Sequence, residues 1–454
     1  MNKLRLGMFV LLVLAGASAL QAQCPPGLPS ATTCHAGMDT NGAFFLIAVP
    51  ANYNHRLLLW NHGYSLAPPG KLGAEDLSPL GPLLLQLGFA VAASSYRPDA
   101  VGLGGWAVAD AAEDTENLRQ QFIRIFGQPD LTIVLGASEG GLITAEIAER
   151  FAKDAHGNLN YHGALPLCGP LAGGVKNFWG AFDLRVVYQF YCQNLPRPNE
   201  PQYPLFLGLA PNNTITPREL GSRINQCTGV LQPAATRTPQ QHRNLANILS
   251  VIKIPESFVV TDMFFSTFAL AELVQVRTHG LSPVTNLEVE YSGSEDDDAL
   301  NAGVFRAGSN EEALDFLTRA YTPNGRVPMP TLTMHTIGDG LVIVENENQY
   351  KEIREEAHTQ RRLRQIFTDA GGHCEFSASE TLAAFQALLG WVQSHKRPTK
   401  RQVAALCEQF RPAFGDTCKI NREFQPEEFE TRIPKRESER ESKHESESRS
   451  EREP

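Results

Sequence analysis

Short apolar runs alternate with longer amphipathic segments along most of the chain. Short runs rich in β-branched and other large apolar residues predict buried strands, and segments with apolar positions three or four residues apart predict helices. The alternation of the two is typical of a mostly parallel sheet flanked by helices, so the pattern predicts an α/β fold. The predicted strands cover 44–49, 56–61, 89–95, 131–135, 163–167, 331–335 and 365–367, and the predicted helices cover 107–126, 141–151, 345–361 and 378–395.

The alternation stops between residues 173 and 328. This interval is rich in proline, asparagine, threonine and aromatic residues, and it contains its own helical stretch from Asp262 to Val276. Because it is too long for a connecting loop, we interpret 173–328 as a cap or lid domain inserted into the core. The core then has two parts, 23–172 and 329–396, and a C-terminal extension with a predicted disulfide follows over 397–431.

The two ends of the chain have compositions unlike that of the core. Residues 1–22 begin with basic side chains, continue with an apolar run and end with small residues, which is the pattern of a secretory signal peptide. We therefore expect a secreted or periplasmic protein. Residues 432–454 consist mostly of charged residues and serines, so they are predicted to bury no core and to be disordered.

The charge and the apolar runs exclude two classes of partner. The formal net charge of -10 repels phosphate backbones, so we expect no general binding of nucleic acid. Beyond the signal peptide, no uninterrupted apolar run approaches the roughly 20 residues that a membrane helix needs, so no membrane span is expected. The sequence leaves the oligomeric state open.

All eight cysteines lie beyond the signal peptide. An even number of cysteines in a secreted chain favours disulfides over metal thiolates, and no two of these are spaced as C-x-x-C. Eight cysteines allow roughly a hundred pairings, so the connectivity stays open at this point. Proximity in the sequence favours three pairs and leaves Cys168 for Cys374; the three are Cys24 with Cys34, Cys192 with Cys227, and Cys407 with Cys418.

The stretch VLGASEGGLI, residues 134–143, places Ser138 between Gly136 and Gly140. A predicted strand precedes the serine and a predicted helix follows it. A sharp strand-to-helix turn crowds its neighbours, so glycines are needed there and the serine hydroxyl is projected above the sheet. One interpretation is a turn that only needs small residues. We favour the other, a nucleophilic serine at the amino end of a helix.

A serine hydroxyl needs a base within hydrogen-bond reach and a group that orients the base. We predict His373 as the base, because it follows the last predicted strand in the small-residue loop DAGGHCEF, residues 369–376. We predict Asp339 as the orienting carboxylate, because it lies between two glycines just after the strand 331–335. Asp369 is the competing carboxylate, ranked second because it would have to fold back on its own loop.

Ser138, Asp339 and His373, in this chain order on alternating strands and helices, resemble the catalytic residues of the α/β-hydrolase fold. The resemblance covers roughly residues 40–172 and 328–396, and it leaves the cap and both tails outside. It implies a mostly parallel sheet flanked by helices, with the catalytic residues at one edge of the sheet.

The same resemblance implies an oxyanion hole. In that fold, two backbone amides hold the oxygen of the tetrahedral intermediate. Here they are expected from Glu139, directly after the serine, and from Tyr64 in the loop of LLLWNHGYS, residues 57–65. His62 of that loop is expected to shape the loop, while the amides of its neighbours serve catalysis.

Cys374, next to His373, resembles the tannase and feruloyl esterase family, in which a His-Cys pair is tied by a disulfide to a cysteine that precedes the serine. In this sequence Ala137 stands before Ser138, which departs from that pattern. Cys168 follows the predicted strand 163–167, so it would emerge at the same edge of the sheet. We therefore expect it to tether Cys374 in place of the missing cysteine.

Together these features predict a secreted serine hydrolase that cleaves carboxylic esters through an acyl-enzyme intermediate, with no cofactor and no metal. Aromatic residues of the cap, especially Phe178, Trp179 and Phe182, indicate a small-molecule ester with an apolar or aromatic part. Two alternatives stay open. One is a serine peptidase of the prolyl oligopeptidase or aminopeptidase type, and the other is a non-catalytic binding protein that keeps the fold.

Overall fold

The computed structural model describes residues 21–436. The predicted signal peptide lies outside the described residues except for its last two, and the predicted disordered tail lies outside them except for residues 432–436. Both predictions are therefore untested over most of their length.

Within the described range, ten strands form one mixed sheet in the order β1-β2-β3-β5-β4-β6-β7-β8-β9-β10. The six strands from β5 to β9 in this order pair in parallel, and the strands at both edges pair antiparallel. The predicted fold class, a mostly parallel sheet flanked by helices, is confirmed. The strands are β1 (Gln21–Ala22), β2 (Thr32–Met38), β3 (Phe44–Pro50), β4 (Arg56–Asn61), β5 (Phe89–Ser94), β6 (Leu131–Ala137), β7 (Gly163–Leu167), β8 (Thr331–Thr336), β9 (Leu363–Thr368) and β10 (Ile420–Asn421).

Helices cover both faces of the sheet and fill the long connection between β7 and β8. They are α1 (Gly81–Gln86), α2 (Val108–Phe126), α3 (Glu139–Arg150), α4 (Gly174–Cys192), α5 (Pro217–Thr228), α6 (Pro239–Ile252), α7 (Val259–Phe264), α8 (Leu270–Glu272), α9 (Asp297–Gly303), α10 (Glu311–Tyr321), α11 (Asn346–Glu356), α12 (Ala378–Ser394) and α13 (Lys400–Phe414).

The central strands read as continuous apolar runs because both of their faces are buried. In β4, Leu57 and Leu59 pack into the apolar core under α2 and α3, whereas Leu58 and Trp60 pack into the core under α1, α12 and α13. The parallel register places Leu58 beside Val91 of β5 on one side and Ile133 of β6 on the other. This two-sided burial is why the apolar runs of the sequence located the strands.

Elements with little apolar patterning were missed. The strand β2 has the sequence TTCHAGM and lies near the edge of the sheet, where Cys34 is its one buried residue. The helix α13 has only Val403 and Cys407 buried, because one face of it packs against α12 and the rest is exposed. Neither segment carries the apolar periodicity from which strands and helices were predicted.

The connection between β7 and β8 is helical from α4 to α10. Its apolar residues join the same core as α2 and α3, and α10 packs against α2. In this part, α7 and α8 are continued by π-helical turns, Phe265–Ala269 and Leu273–Arg277. Its treatment as a separate cap domain over 173–328 stays a prediction.

One helical stretch in the described part of the chain, Glu256–Arg277, has the length and the apolar composition that crossing a membrane would require. Its apolar window is 61% buried inside the protein. A buried core helix passes the same test of length and composition, so the stretch is weak evidence for a membrane span.

All four predicted disulfides are present. The pairs with short sequence separation are Cys24–Cys34, Cys192–Cys227 and Cys407–Cys418. The fourth, Cys168–Cys374, joins residues that are 206 positions apart and ties the end of β7 to the loop after β9. Four disulfides are typical of a protein that folds in an oxidising compartment.

The disorder predicted from residue 432 onward is wrong for residues 432–436. The Nη2 of Arg436 lies 2.7 Å from Asp183 Oδ2, and Arg436 is only 3% exposed. Ile433 packs against Gly180 of α4. The composition predicted solvated side chains. Instead, the buried carboxylate of Asp183 holds Arg436, and Ile433 packs beside Gly180.

The ion pair of Arg436 gives a first prediction. Replacing Arg436 by methionine should lower the free energy of unfolding by about 3 kcal/mol, because it leaves the carboxylate of Asp183 buried without its cation. Arg422→Met, at an exposed position, serves as the matched control and should change it by less than about 0.5 kcal/mol. Equal effects of the two variants in urea denaturation would contradict the packed C-terminal segment.

Candidate active site

Ser138 lies in a sharp turn between β6 and α3. Its backbone has φ 59° and ψ -128°, a region that residues other than glycine rarely adopt. Its amide donates to the carbonyl oxygen of Leu167 on the neighbouring strand β7, with an N to O distance of 3.0 Å. The turn is thus fixed to the sheet, and Ser138 is the residue between the strand and the first turn of the helix.

The glycines around Ser138 are required by packing. A Cβ atom at Gly136 would overlap the carbonyl oxygen of Gly140, and a Cβ atom at Gly140 would overlap the carbonyl oxygen of Asn61. The turn therefore packs directly against the end of β4. These contacts explain the glycines whether or not the serine reacts. They do not by themselves indicate that Ser138 is a nucleophile, which depends on the groups around its hydroxyl.

The structure brings Ser138, His373 and Asp339 together. The Nε2 of His373 lies 2.9 Å from Ser138 Oγ, although the two residues are 235 positions apart. The Nδ1 of His373 lies 2.7 Å from Asp339 Oδ2. The other oxygen of Asp339 accepts hydrogen bonds from the amides of Leu341 and Val342, each at 3.0 Å. The three side chains form a continuous hydrogen-bonded chain.

Several contacts fix the loop that carries His373. The disulfide Cys168–Cys374 ties it to the end of β7. Thr336 donates its hydroxyl hydrogen to the carbonyl oxygen of Gly372 at 2.7 Å, and the amide of Gly338 donates to the carbonyl of Ala370 at 2.9 Å. The segments at the ends of β7 and β8 therefore fix the loop after β9 that carries the imidazole.

Asp369, the competing carboxylate, lies away from the imidazole. Its side chain is exposed, and its Oδ1 accepts from Asn421 Nδ2 at 3.0 Å. Its backbone amide donates to Lys419, next to the edge strand β10. The ranking of Asp339 above Asp369 agrees with this geometry, while the catalytic role of Asp339 stays a prediction.

A second histidine, His335, lies behind Asp339 and is fully buried. Its Nε2 lies 2.8 Å from the carbonyl oxygen of Val342 and 3.6 Å from Asp339 Oδ2, and its Nδ1 lies 3.6 Å from Glu347 Oε1. The 3.6 Å separations are those of ion pairs rather than of hydrogen bonds. His335 is thus placed between two buried carboxylates.

Burial and charge act in opposite directions on this group. Burial alone would lower the pKa of His335, but Asp339 and Glu347 raise it to about 10. Burial alone would raise the pKa of Asp339, but its contacts with His335 and His373 lower it to about 2. The Asp339 carboxylate is therefore ionised and faces an imidazolium on its other side. Sequence reasoning missed this arrangement, because no local pattern signals that Glu347 of α11 reaches His335.

The predicted oxyanion amides lie in the two segments that flank the hydroxyl. A Cβ atom at Gly63 would lie 3.1 Å from Ser138 Cβ, so the loop with Tyr64 passes directly beside the serine. Glu139 follows Ser138 at the start of α3. Among residues 21–436, no acceptor takes the amide hydrogen of either Tyr64 or Glu139. Both amides are thus free to donate, and their role stays a prediction.

His62 contributes to the shape of this loop. Its ring stacks on that of Tyr96, with centroids 4.1 Å apart, and Tyr96 donates its hydroxyl hydrogen to the His62 carbonyl oxygen at 3.0 Å. Burial lowers the pKa of His62. These contacts agree with the expectation that its imidazole supports the loop.

The side chain of Glu139 has a structural partner that the sequence did not indicate. It is 2% exposed, its Oε1 accepts from the amide of Ala107 at 2.6 Å, and burial raises its pKa to about 8. Glu272 Oε2 likewise accepts from the amide of Trp106 at 2.9 Å and pairs with Arg277 at 2.7 Å. Two buried carboxylates therefore hold the loop before α2 against the site.

A cavity opens beside Ser138, with an empty volume of about 1240 Å³ that includes its open mouth. Its wall includes Trp106, Phe178 and Phe265, and its polar residues include Asp262 and Arg432. Of the three aromatic residues expected to wall a pocket, Phe178 lines the cavity. Trp179 and Phe182 do not line it, and both are buried in the apolar core.

Comparisons with known proteins give distant structural likenesses. No protein-family model matches the sequence. No curated protein matches it either. Among solved structures, the rice cell wall degrading esterase LipA from Xanthomonas oryzae in a ligand-bound form is 14% identical, with 81% of this chain and 90% of that chain covered and a TM-score of 0.40.

Two further structures are similar at the same level. The Pyrococcus furiosus esterase Pf2001 is 12% identical, with 84% of this chain and 99% of that chain covered and a TM-score of 0.40. The acylaminoacyl peptidase of Pyrococcus horikoshii is 10% identical, with 88% of this chain but 44% of that chain covered and a TM-score of 0.35. The strand order and the parallel pairing of the central strands give the protein the α/β-hydrolase fold. Structures this distantly similar do not show which reaction this protein catalyses.

The buried charge of His335 gives a second prediction. Its folded-state pKa of about 10 exceeds the value of about 6.5 in an unfolded chain. Its stabilising contribution is therefore complete below about pH 6.5 and is lost as the pH rises through about 10. Urea denaturation should show that His335→Gln destabilises the protein most at about pH 6, and that the difference from the wild type shrinks toward pH 10.

The exposed His156 offers the matched control for this measurement. His156→Gln should follow the wild-type pH dependence throughout. A difference between wild type and His335→Gln that stays constant from about pH 6 to pH 10 would show that His335 is neutral in the folded protein.

Proposed function

We propose that the protein is a secreted serine hydrolase that cleaves carboxylic esters. The observation that carries the proposal is the hydrogen-bonded chain from Ser138 Oγ through His373 to Asp339, with distances of 2.9 and 2.7 Å. A nucleophile, a base and a group that orients the base are the parts that acyl transfer needs, and they stand beside an open cavity.

In the first half of the reaction, Ser138 Oγ attacks the ester carbonyl carbon while His373 Nε2 takes the hydroxyl proton. The carbonyl oxygen becomes an oxyanion, and the amides of Tyr64 and Glu139 donate to it. The tetrahedral intermediate then collapses, the bond to the alcohol oxygen breaks, and His373 returns the proton to the leaving alcohol. An acyl group remains on Ser138.

In the second half, a water molecule repeats the role of the serine. His373 takes one proton from the water, and the resulting hydroxide attacks the acyl carbon. Collapse of this second intermediate breaks the bond to Ser138 Oγ, which recovers its proton from His373. The acid product leaves and the resting site is restored.

Asp339 keeps the imidazole in the productive tautomer. Its Oδ2 accepts from His373 Nδ1, so Nε2 is left without a hydrogen and faces Ser138 as an acceptor. His335 acts on the other side as a positioning residue, because its charge keeps Asp339 ionised and in place. The contacts thus run from His373 through Asp339 and His335 to Glu347.

The peptidase alternative needs a site that grips a peptide terminus. Two carboxylates that could bind a terminal ammonium, Glu139 and Glu272, are instead occupied by backbone amides and by Arg277. This occupation favours the ester substrate. The binding-protein alternative gives no reason for the hydrogen-bonded chain at Ser138.

Secretion is the remaining part of the proposal. The four disulfides support it, because such bonds persist in secreted and periplasmic proteins and are rare in the reducing cytosol. The signal-like composition of residues 1–22 points to the same compartment.

Substitutions at the site test the proposal. With 4-nitrophenyl esters of graded chain length, Ser138→Ala should lower kcat by at least about 10³-fold and Asp339→Asn by about 10⁴-fold. Asp369→Asn removes the neighbouring exposed carboxylate that does not touch the imidazole, so it should leave kcat within about twofold. Steady-state kinetics on variants of verified fold provide the measurement.

Four results would count against the proposal. Ester turnover that persists in Ser138→Ala would move the chemistry elsewhere, and a larger loss in Asp369→Asn than in Asp339→Asn would reassign the carboxylate. Faster turnover of a proline 4-nitroanilide than of every ester would favour the peptidase. Absence of turnover of any of these substrates by the folded wild type would favour a binding protein.

A further inference from the structure

The side chain of Asp262 has no hydrogen-bond partner among residues 21–436, although it is buried beside the proposed catalytic residues. It lies on α7, lines the same cavity as Ser138, and is 8% exposed. Its Oδ1 is fully buried, and no donor among residues 21–436 reaches it. Burial raises the pKa of Asp262 well above its usual value, and the nearby Asp339 raises it further.

Such a group is unfavourable in a folded protein unless something pairs with it. Buried polar atoms are nearly always hydrogen-bonded, and one that is not calls for an explanation such as a catalytic role, a water molecule or a bound group. Neither core packing nor the proposed catalytic chain uses the side chain of Asp262. The missing partner is therefore expected from the content of the cavity.

A second unpaired polar atom belongs to another residue of the cavity wall. Arg432 comes from the C-terminal segment, whose residues 430–434 form part of the cavity wall. Its Nη1 pairs with Glu345 Oε1 at 3.2 Å, but its Nε is buried and donates to no residue of the described chain. Its charge lowers the pKa of Asp262, so the two groups are close, yet they form no ion pair with each other.

The residues of the cavity wall thus carry one buried acceptor, Asp262 Oδ1, and two buried donors, Arg432 Nε and Trp106 Nε1, that lack partners among residues 21–436. An ammonium group would pair with Asp262, but it would be repelled by Arg432 and would accept nothing from it. A carboxylate would pair with Arg432 but has no hydrogen to donate to Asp262. A hydroxyl group satisfies Asp262 and Arg432 together, because one oxygen atom donates and accepts.

We propose that the substrate is an ester that carries a hydroxyl group, which pairs with the side chains of Asp262 and Arg432 in the cavity wall. This inference rests on the proposed function, since it places that hydroxyl group in the cavity from which an ester would reach Ser138. The aromatic wall at Trp106, Phe178 and Phe265 covers the apolar part of the same substrate. The C-terminal segment is then part of the substrate site.

Pairs of esters that differ by one hydroxyl group test the proposal. The hydroxyl is placed at successive carbons of the acyl chain of 4-nitrophenyl butyrate and pentanoate, and at successive carbons of the alcohol in butyl butyrate. The ratio of kcat/KM for each hydroxylated ester to that of its parent is the readout. Both substrates meet the same enzyme, so a partly unfolded preparation does not alter the ratio.

For the wild type, at least one hydroxylated ester should be preferred by about tenfold or more, since it pairs polar groups that the parent ester leaves unsatisfied. Asp262→Leu and Arg432→Met should each bring this ratio close to one. Asp262→Asn keeps an acceptor oxygen and should retain part of the preference. Asp315→Leu, at an exposed position of α10, is the matched control and should keep the wild-type ratio.

Three outcomes would overturn the proposal. The wild type could hydrolyse the parent esters without preferring any hydroxylated one, or the preference could survive in Asp262→Leu, as it would if ordered water satisfied these atoms. A preference for the corresponding amino esters over the hydroxylated ones would assign the subsite to an ammonium group instead. If the wild type hydrolyses none of the esters, parents included, the proposed function itself fails and this inference fails with it.

Discussion

The parallel pairing of the central strands is the constraint on which the candidate site depends. Parallel strands end at a common edge, so residues far apart in the chain meet there without any direct sequence relation. Five neighbouring strands each contribute a loop to this edge. The loops carry Tyr64 after β4, Ser138 after β6, Cys168 after β7, Asp339 after β8 and His373 after β9. Each residue would be unremarkable in isolation, and the proposed chemistry follows from their convergence.

Two kinds of contact turn this convergence into a fixed geometry. The disulfide Cys168–Cys374 and the hydrogen bonds between the loops restrict the imidazole to one place. Behind it, His335 lies between the buried carboxylates of Asp339 and Glu347. Because the interior screens charge weakly, such a group is stable only when each member is paired. Orientation of the proposed base is therefore built into the core of the protein.

The sequence predicted the elements and residues that leave a local pattern. Two-sided burial gives continuous apolar runs, so the central strands were located, and Ser138, Asp339 and His373 were identified from the loops that follow strands. The contacts that were missed are long-range and leave no such pattern. They include Glu347 beside His335, the Glu139 carboxylate on the amide of Ala107, and Arg436 on Asp183. In each of these contacts, a charged residue that the sequence alone suggests is solvent-exposed is bound to a buried partner elsewhere in the chain.

The central claim is that His373 activates Ser138 as a nucleophile. The most direct measurement is the rate at which a fluorophosphonate probe modifies the folded protein, with the modified residue located by peptide mass spectrometry. The account predicts a single adduct on Ser138 and a labelling rate at least about 10³-fold lower in His373→Gln. An adduct at another residue, or an undiminished rate in that variant, would contradict it.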